Sequence, residues 1–404
     1  MTRPLLEVAD GIRQYGDAYF ARYGAVTSTT QRRVLQALSH CRTAALGGHK
    51  TQCDACGHEE ISYHSCRNRH CPKCQGRAQA AWLAAREREL LDAPYGHVVF
   101  TLPAQIGPLA LQNPRVVYTM LFQAVAATLQ TIARDPKHLG AESGLLGVLH
   151  TWGQTLHHHP HLHCLVPAGG LALDGTAWIP CPKRFFLPVR VLSRFFRRPF
   201  LTALRQAAAQ GTLGMQGACQ SLAVPQAWHP WLTTLSQTEW VVYAKPPLAG
   251  PQPVLHSLAR YTHRVAITNG RLLACTDGHV TFQWTDDQRG KRQRTMTLDA
   301  VEFIRRFLLP VLPRGLQRIR HYGFFANGVR QVKLPRCRQV LGQTVWPPQE
   351  ARPPVDSTAM ASRPPSPFDV CPACHLGRMQ VQETWFPQRT ARDVSYPILV
   401  CDTS

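Results

Sequence analysis

The stretch His157-His-His-Pro-His-Leu-His-Cys-Leu-Val-Pro167 is the most unusual segment of this chain. In its second half histidine alternates with an apolar residue, since Leu162 separates His161 from His163, and an apolar run follows. On a β-strand, residues i and i+2 share one face. We therefore predict a strand over residues 161–167 that packs Leu162 into a core and presents both imidazoles on the opposite side. Two histidines so placed are a natural pair of metal ligands, although surface histidine pairs without a metal are also common.

The sequence around this segment predicts a mixture of strands and helices. Apolar and β-branched runs predict further strands at residues 97–102, 145–152, 239–244 and 265–284. Apolar periodicity predicts helices at residues 1–40, 78–91, 114–134, 190–210, 253–263 and 298–312. The turn residues Gly169-Gly170 and Asp174-Gly175 suggest a hairpin, and a proline-rich linker is expected at residues 343–368.

A cysteine-rich block lies upstream. Cys53-x2-Cys56 is followed, after 14 residues, by Cys71-x2-Cys74. Two such pairs can supply the four thiolates of a tetrahedral structural zinc site. Residues 41–76 are too short and polar to build an apolar core, which also favours a metal.

Other candidate ligands leave a second zinc site open. Those in the same block are Cys41, His49, Cys66 and His70. The alternative is that both cysteines are small buried apolar residues and that both histidines face solvent or phosphate. Further along, Cys371-x2-Cys374 lacks an obvious second pair, so Cys337, His375 or Cys401 could complete a site there, or it could be a remnant.

The net charge indicates a polyanionic partner. Lys and Arg total 45 against 24 acidic residues, a net charge of +21, and Arg far outnumbers Lys. Such an excess attracts nucleic acid, although a GC-rich genome also enriches Arg. Within the cysteine block, Arg67, Arg69 and Lys73 are candidate DNA contacts, against the alternative of an ordinary solvated surface.

The chain has no evident membrane or secretion signal. No continuous apolar run approaches the ~18–20 residues needed to span a bilayer, and the first ten residues lack a signal-peptide core. The sequence therefore predicts a cytoplasmic protein without a membrane partner.

Tyr261 is the best candidate for a nucleophile. It lies in Leu258-Ala-Arg-Tyr-Thr-His-Arg264, where Arg260, His263 and Arg264 could hold a phosphate and stabilise a phenolate. The alternative is a tyrosine that packs its ring at the edge of a core and hydrogen-bonds its hydroxyl.

Several motifs, in this order, resemble rolling-circle transposases of the HUH endonuclease class, and most closely the bacterial insertion-sequence-ninety-one (IS91) family with its common-region relatives. The motifs cover about residues 30–330 and include Cys41-Arg-Thr-Ala-Ala-Leu-Gly-Gly-His49, Ser65-Cys-Arg-Asn-Arg-His-Cys-Pro-Lys-Cys74, His97-Val-Val-Phe-Thr-Leu-Pro103, His159-Pro-His-Leu-His163, Val242-Tyr-Ala-Lys-Pro-Pro247, Ala259-Arg-Tyr-Thr-His-Arg-Val-Ala-Ile-Thr-Asn269 and Arg318-Ile-Arg-His-Tyr-Gly323.

The resemblance implies an α+β fold: an antiparallel sheet of the palm or RRM-like kind, flanked by helices and preceded by a small zinc-binding domain. His161 and His163 would hold Mg²⁺ or Mn²⁺. Tyr261 would attack single-stranded DNA at an element end, keep the 5′ end as a phosphotyrosine and release a free 3′ hydroxyl. Ser257 stands where two-tyrosine members carry a second tyrosine, so the chain resembles the single-tyrosine members.

The resemblance leaves the third metal ligand open among His97, Gln154, Glu239 and His263. Lys245 and Arg264 are the expected phosphate contacts, and Tyr322 is the fallback nucleophile. Two other functions stay open: a non-catalytic zinc-dependent DNA-binding protein, and a plasmid-type rolling-circle replication initiator. An oligomer is possible, and the resemblance implies association with the bacterial nucleoid.

The expected domains are three. Residues 1–92 form a helical and zinc-binding DNA-recognition domain, residues 93–340 the transposase domain, and residues 341–404 a proline-rich linker with a short cysteine-containing tail.

Overall fold

The computed structural model describes residues 6–75, 79–80, 82–83, 89–181, 189–248, 265–286, 290, 292–343 and 370–387. Its helices are α1 (Val8–Tyr23), α2 (Thr29–Ser39), α3 (Gly107–Gln112), α4 (Pro114–Arg134), α5 (Val189–Ala209), α6 (Pro225–Gln237), α7 (Ala300–Leu308) and α8 (Arg330–Val340). Its strands are β1 (Gly48–Cys53), β2 (Glu59–Tyr63), β3 (Tyr95–Thr101), β4 (Ala141–Glu142), β5 (Leu145–Trp152), β6 (His158–Pro167), β7 (Gly169–Ala172), β8 (Trp178–Pro180), β9 (Val242–Leu248), β10 (Leu272–Thr276), β11 (His279–Asp286), β12 (Arg292–Asp299), β13 (Ile319–Tyr322) and β14 (Met379–Trp385).

The central sheet has five strands in the order β13-β5-β6-β3-β9, and every neighbouring pair is antiparallel. The histidine-rich strand β6 lies in the middle. Val99 of β3 pairs with His163 on one side, and His150 of β5 pairs with His161 on the other. This arrangement, with helices against the sheet, confirms the predicted α+β class.

One face of this sheet carries the largest apolar core. Leu162 and Cys164 of β6 pack there against helices α4 and α5, which contribute Phe122 and Phe196 among others. The alternation along β6 thus divides the strand as predicted, with apolar residues toward the helices and histidines on the other face.

The opposite face is apolar only toward one end. There Leu146, Val148 and Leu165 pack with Tyr95 and Phe324. The histidines occupy the other end of the same face, so the sheet offers a polar site beside a packed core.

Helix α4 bears on the expectation that no apolar run in the sequence is long enough to span a bilayer. By length and composition it is the one helix among the described residues that could cross a membrane. Two thirds of its most apolar window is buried, at 67%, and its residues belong to the main core.

The N-terminal region packs on residues far along the chain. Val8 and Ile12 of α1 share a core with Phe282 of β11 and Phe303 of α7. A second sheet joins β14 to β1 and β1 to β2, and a third joins β10, β11 and β12. Residues near the end of the chain, expected in a separate tail, therefore complete a sheet that begins at Gly48.

Local sequence signals explain several helix starts. Ser28 accepts a hydrogen bond from the Gln31 amide and the Gln31 side chain accepts one from the Ser28 amide, which caps α2. Asp299 caps α7 by accepting from the Glu302 amide. The predicted helix at 298–312 accordingly starts at Ala300, because the preceding residues form β12.

Candidate active site and thiol clusters

Three histidines meet on the polar end of the central sheet. His150, His161 and His163, called here the histidine cluster, each place one ring nitrogen within 4.8 Å of the other two. The register explains this meeting, because His150 lies directly opposite His161 and His163 follows two residues later on the same face.

Hydrogen bonds orient two of these rings. The Nδ1 of His161 lies 2.7 Å from the carbonyl oxygen of His159, which can only accept. Nδ1 of His161 therefore carries the proton, and its Nε2 lone pair is available as a ligand. The Nδ1 of His163 lies 2.9 Å from Nε2 of His97 on β3. A partner on the second ring nitrogen fixes the orientation of a ligating histidine.

His97 is buried beside a cation. Burial and, to a smaller extent, the charge of Lys245 lower the pKa of His97 to about 4. Lys245 pairs with His97 across β3 and β9, and it is exposed. His97 is consequently neutral at physiological pH, while Lys245 offers a positive charge to solvent on the histidine side of the sheet.

The aromatic ring of Trp152 borders the histidine cluster. The Trp152 ring stacks on His150, with centroids 4.9 Å apart and planes at 20°. Trp152 belongs in turn to an apolar cluster with Leu156, Ala266 and Ile267. The chain that follows residue 264 is thus anchored next to the histidine cluster.

Four cysteines of the N-terminal region form a first thiol group. The N-terminal thiol cluster consists of Cys41, Cys66, Cys71 and Cys74, whose sulfur atoms all lie within 4.8 Å of one another. The Cys41–Cys74, Cys66–Cys74 and Cys41–Cys71 pairs are each 3.6 Å apart. A tetrahedral zinc site with Zn–S bonds of ~2.3 Å places its sulfurs about 3.8 Å apart, so the spacing fits such an ion.

A second thiol group joins distant parts of the chain. The bridging thiol cluster consists of Cys53, Cys56, Cys371 and Cys374, also with all four sulfurs within 4.8 Å. The structure therefore corrects the predicted grouping, because Cys53 and Cys56 do not share a site with Cys71 and Cys74. Each CxxC pair places its own two cysteines together as expected. The hairpin of β1 and β2 holds Cys53 and Cys56 near its turn, away from Cys71 and Cys74, so each pair meets other cysteines.

Comparison with known families decides the identity of the chain. A model described as "Transposase zinc-binding domain", of the IS91 type, matches residues 11–102. A second, described as "Putative transposase", matches residues 144–333. A relative from Sinorhizobium fredii (strain NBRC 101917 / NGR234), "Putative transposase y4qJ", is 53% identical over 386 residues, 94% of this chain and 95% of the relative. The chain belongs to the IS91 family of transposases.

A more distant relative agrees with this assignment. The transposase for insertion sequence element IS801 from Pseudomonas savastanoi pv. phaseolicola is 29% identical over 307 residues, covering 74% of this chain and 72% of the relative. No solved structure matches the chain significantly. The zinc-binding match covers the six N-terminal cysteines and the second match covers the histidine cluster, whereas Cys371 and Cys374 lie outside both.

The two histidines predicted for a second zinc lie outside both thiol clusters of this transposase. His70 is buried, and its Nε2 lies 2.7 Å from the Phe307 carbonyl oxygen. Burial lowers the pKa of His70 to about 4. His49 lies on β1 with its ring 5.9 Å from that of His64. The structure thus places cysteines alone in both groups.

The predicted DNA contacts in the cysteine block have different surroundings. Arg67 is exposed in a left-handed backbone conformation (φ 50°). The Arg69 guanidinium donates to the carbonyl oxygens of Leu312, Pro313 and Leu316 at 2.9–3.0 Å. Lys73 forms an ion pair with Glu7 in which both side chains are about nine-tenths buried, with exposures of 10% and 8%. Arg69 and Lys73 therefore stabilise the fold through these contacts, and of the three residues Arg67 remains the candidate DNA contact.

The predicted nucleophile and three of its neighbours lie outside the described residues. These are Tyr261, Arg260, His263 and Arg264. Tyr322, the fallback nucleophile, pairs with Leu145 and packs against the helix-covered core. It therefore lies on the face opposite to the histidine cluster.

His150 was missed among the candidate third ligands. Of the candidates named from the sequence, His97 forms a hydrogen bond with His163. Glu239 is exposed just before β9. The backbone carbonyl of Gln154 accepts a hydrogen bond from Arg271. The signal that could have identified His150 is the hairpin between the predicted strands 145–152 and 161–167, whose short turn sets residue 150 opposite residue 161.

Proposed function

We propose that this transposase nicks and rejoins single-stranded DNA at the ends of an insertion element, through a 5′-phosphotyrosine intermediate formed on Tyr261. The observation that carries the proposal is the histidine cluster on an antiparallel sheet in a chain whose relatives are transposases. The same proposal places the protein at the bacterial nucleoid, where its DNA substrate lies.

The histidine cluster suits a divalent metal ion. His150, His161 and His163 would hold it, since three nitrogens converge and the proton of His161 points away from the group. Within the described residues no carboxylate joins this group, and imidazole ligands favour transition ions over Mg²⁺. We therefore expect Mn²⁺ to support the reaction better than Mg²⁺. A bound ion would polarise a phosphate oxygen and leave the phosphorus more open to attack.

The chain's own groups account for the remaining steps. The phenolate oxygen of Tyr261 forms a bond to phosphorus as the bond from phosphorus to the 3′ oxygen breaks, and that oxygen leaves as a 3′ hydroxyl after taking up a proton. Attack by a 3′ hydroxyl on the phosphotyrosine reverses these bonds and rejoins the strand. Lys245 would hold the phosphate, and His97 would keep the His163 ring in its orientation.

The chain that follows the Tyr261 segment, together with Lys245 before it, supports this assignment. Lys245, on β9, precedes the segment on the histidine side of the sheet. Ala266 and Ile267 follow it and pack in the cluster of Trp152, which stacks on His150. The described chain that follows the segment thus lies beside the histidine cluster, whereas β9 ends at Leu248, opposite Tyr95 at the apolar end of the same sheet.

The N-terminal thiol cluster would bind a structural zinc ion. Its sulfur spacing fits a tetrahedral site. The four cysteine sulfurs would fill all four coordination positions of the ion, so no open position would remain for substrate. Arg67 would face DNA from the surface of this region. The ion would hold the basic loop in shape rather than take part in strand cleavage.

A covalent-adduct assay tests the nuclease. Single-stranded DNA carrying an element end is incubated with the protein and Mn²⁺ or Mg²⁺. The covalent protein–DNA adduct is then detected as a band on a denaturing gel. Wild type should give a band that EDTA, Tyr261→Phe and His150→Ala each abolish. Tyr322→Phe and His229→Ala, which alter a tyrosine on the other face and an exposed helical histidine, should keep it.

Two results would contradict the proposed function or the proposed nucleophile. DNA binding without any covalent band in wild type would favour a non-catalytic zinc-dependent DNA-binding protein. A band that survives in Tyr261→Phe would remove Tyr261 from its role. The replication initiator is the weaker alternative, because both named relatives are transposases.

A further inference from the structure

Two CxxC segments at opposite ends of the described chain meet in space. Cys53 and Cys374 have their sulfurs 3.7 Å apart, although 321 positions separate them in sequence. Cys56 and Cys371 are also 3.7 Å apart, across 315 positions. These distances match the sulfur spacing of about 3.8 Å expected around a tetrahedral zinc ion.

The two segments have the same backbone shape. The Cys53 amide donates to the His58 carbonyl oxygen at 2.8 Å, and the Cys371 amide donates to the Gly377 carbonyl oxygen at 2.9 Å. In both, the residue after the second cysteine has a left-handed backbone, with φ 71° at Gly57 and 57° at His375. The segments are therefore two equivalent turns that face each other.

Backbone amides point at the sulfurs. The Ala55 amide lies 3.4 Å from the Cys53 sulfur and the Ala373 amide 3.4 Å from the Cys371 sulfur. The Gly377 amide lies 3.4 Å from the Cys374 sulfur. Such donors stabilise thiolates, which are the form that binds metal.

The surroundings fix the second segment against the first. A Cβ atom added at Gly377 would lie 2.5 Å from the Cys53 sulfur, so the close approach requires glycine. The Asp54 carboxylate accepts from the Arg378 amide at 2.7 Å, and β14 then pairs with β1 from Met379 onward.

We propose that Cys53, Cys56, Cys371 and Cys374 bind a second structural Zn²⁺ ion, and that this ion fastens β14 to β1. The site is distinct from the N-terminal thiol cluster and uses two cysteines beyond both family matches. It does not depend on the nuclease proposal, since it uses no residue of the histidine cluster.

The zinc content of the full chain, purified under reducing conditions, tests this site. Metal analysis by mass spectrometry should find two zinc ions per chain in wild type and one in the double variant Cys371→Ser/Cys374→Ser. Cys275→Ser, a partly exposed cysteine outside both clusters, is the matched control and should keep two. Cys374→His, which restores a zinc ligand, should also keep two.

Protection of the thiols in wild type gives a second measurement that requires no variant. Cys371 and Cys374 should resist alkylation in the native protein and become reactive after treatment with a zinc chelator. In the double serine variant, hydrogen exchange should accelerate in β1 and β14 while the central sheet keeps its protection.

The contrary outcomes are distinct. One zinc ion in wild type, with Cys371 and Cys374 alkylated freely, would overturn the site, as would two ions in the double serine variant. An intact mass four hydrogens lower in freshly purified wild type would indicate two disulfides in place of zinc.

Discussion

At the scale of single residues, His97 is a side chain outside the histidine cluster that contacts one of its members. Its ring stacks against His163 with centroids 5.1 Å apart and planes at 6°, and the ring nitrogens are in hydrogen-bond contact. Because His97 is buried and neutral, its effect on His163 is one of orientation rather than of charge.

His97→Phe keeps the ring but removes this hydrogen bond. We expect the Mn²⁺ concentration for half-maximal adduct formation to rise by about 10–100-fold, with saturating Mn²⁺ restoring much of the rate. His97→Gln, which retains a polar partner, should recover part of the loss. The measurement is a Mn²⁺ titration of the covalent adduct.

His158 provides a matched control on the same sheet. It is mostly buried and lies 2.9 Å from the Tyr118 hydroxyl, away from the histidine cluster. His158→Asn should reduce stability by about 1 kcal/mol without changing the Mn²⁺ requirement. A similar shift in both variants would show that general loosening of the sheet, and not the contact with His163, sets metal affinity.

The candidate site could be predicted in part from single residues. Alternation was enough to put His161 and His163 on one face, because that depends only on strand geometry. His150 lies within a run of apolar residues, and its position depends on the register between two strands. The thiol groupings depend on contacts across 315 and 321 positions, which spacing within a motif cannot encode.

At the scale of elements, helix α7 carries a charged network that joins its first turn to its last. Glu302 accepts from Nε and an Nη of Arg305 at 2.6 and 2.8 Å, and from Nε of Arg306 at 2.7 Å. The apolar face of the same helix, with Phe303 and Phe307, joins the core of the N-terminal helices. Glu302 therefore links a surface network to a buried interface.

Glu302→Gln should weaken this element in a pH-dependent way. The hydrogen bond with Arg305 lowers the pKa of Glu302 from 4.5 to about 2. Between those values the unfolded chain binds more protons, so the stabilisation is complete above pH ~4.5 and is lost toward pH ~2. Because 25% of the side chain is exposed, we expect the variant to lose about 1 kcal/mol at pH 7.

Urea unfolding of both proteins at pH 7 and near pH 3 measures this effect, which should shrink at the lower pH. Glu60→Gln, an exposed glutamate on β2, is the control and should change stability little at either pH. An equal deficit for Glu302→Gln at both pH values would show that side-chain packing, and not the carboxylate charge, stabilises α7.

Strongly patterned elements could be predicted from the sequence, and weakly patterned ones could not. Helix α4 and strand β5 have the predicted bounds, because each combines a strongly apolar pattern with clear terminal signals. Strand β12, Arg292–Asp299, is largely exposed, and its apolar alternation is limited to Met296 and Leu298. Helix α6 contains Pro230 and buries only Leu232 and Leu235, so its pattern was too weak to predict.

At the scale of the whole molecule, the net charge of +21 sets how the protein meets DNA. Counterions released from single-stranded DNA make the logarithm of affinity fall with the logarithm of salt concentration, by ~0.7 per phosphate contacted. Lys245→Gln should therefore reduce the magnitude of this slope by about 0.7. Fluorescence anisotropy with a labelled single strand, over a series of salt concentrations, gives the slope.

Lys333→Gln is the matched control, because Lys333 forms an ion pair with Glu142 in another part of the molecule. Its slope should equal that of wild type. Equal losses in the two variants would mean that total charge governs binding, with no particular role for the lysine beside the histidine cluster.

The pairing of β14 with β1 has a consequence for synthesis. At ~5–20 residues per second, the 315 positions between Cys56 and Cys371 take about 15–60 seconds to translate. Throughout that interval one edge of β1 has no strand beside it, and such an edge invites pairing with other chains. Messages cut short before residue 370 would leave that edge open permanently. Shortened copies of this transposase should therefore aggregate rather than compete with the complete enzyme for DNA.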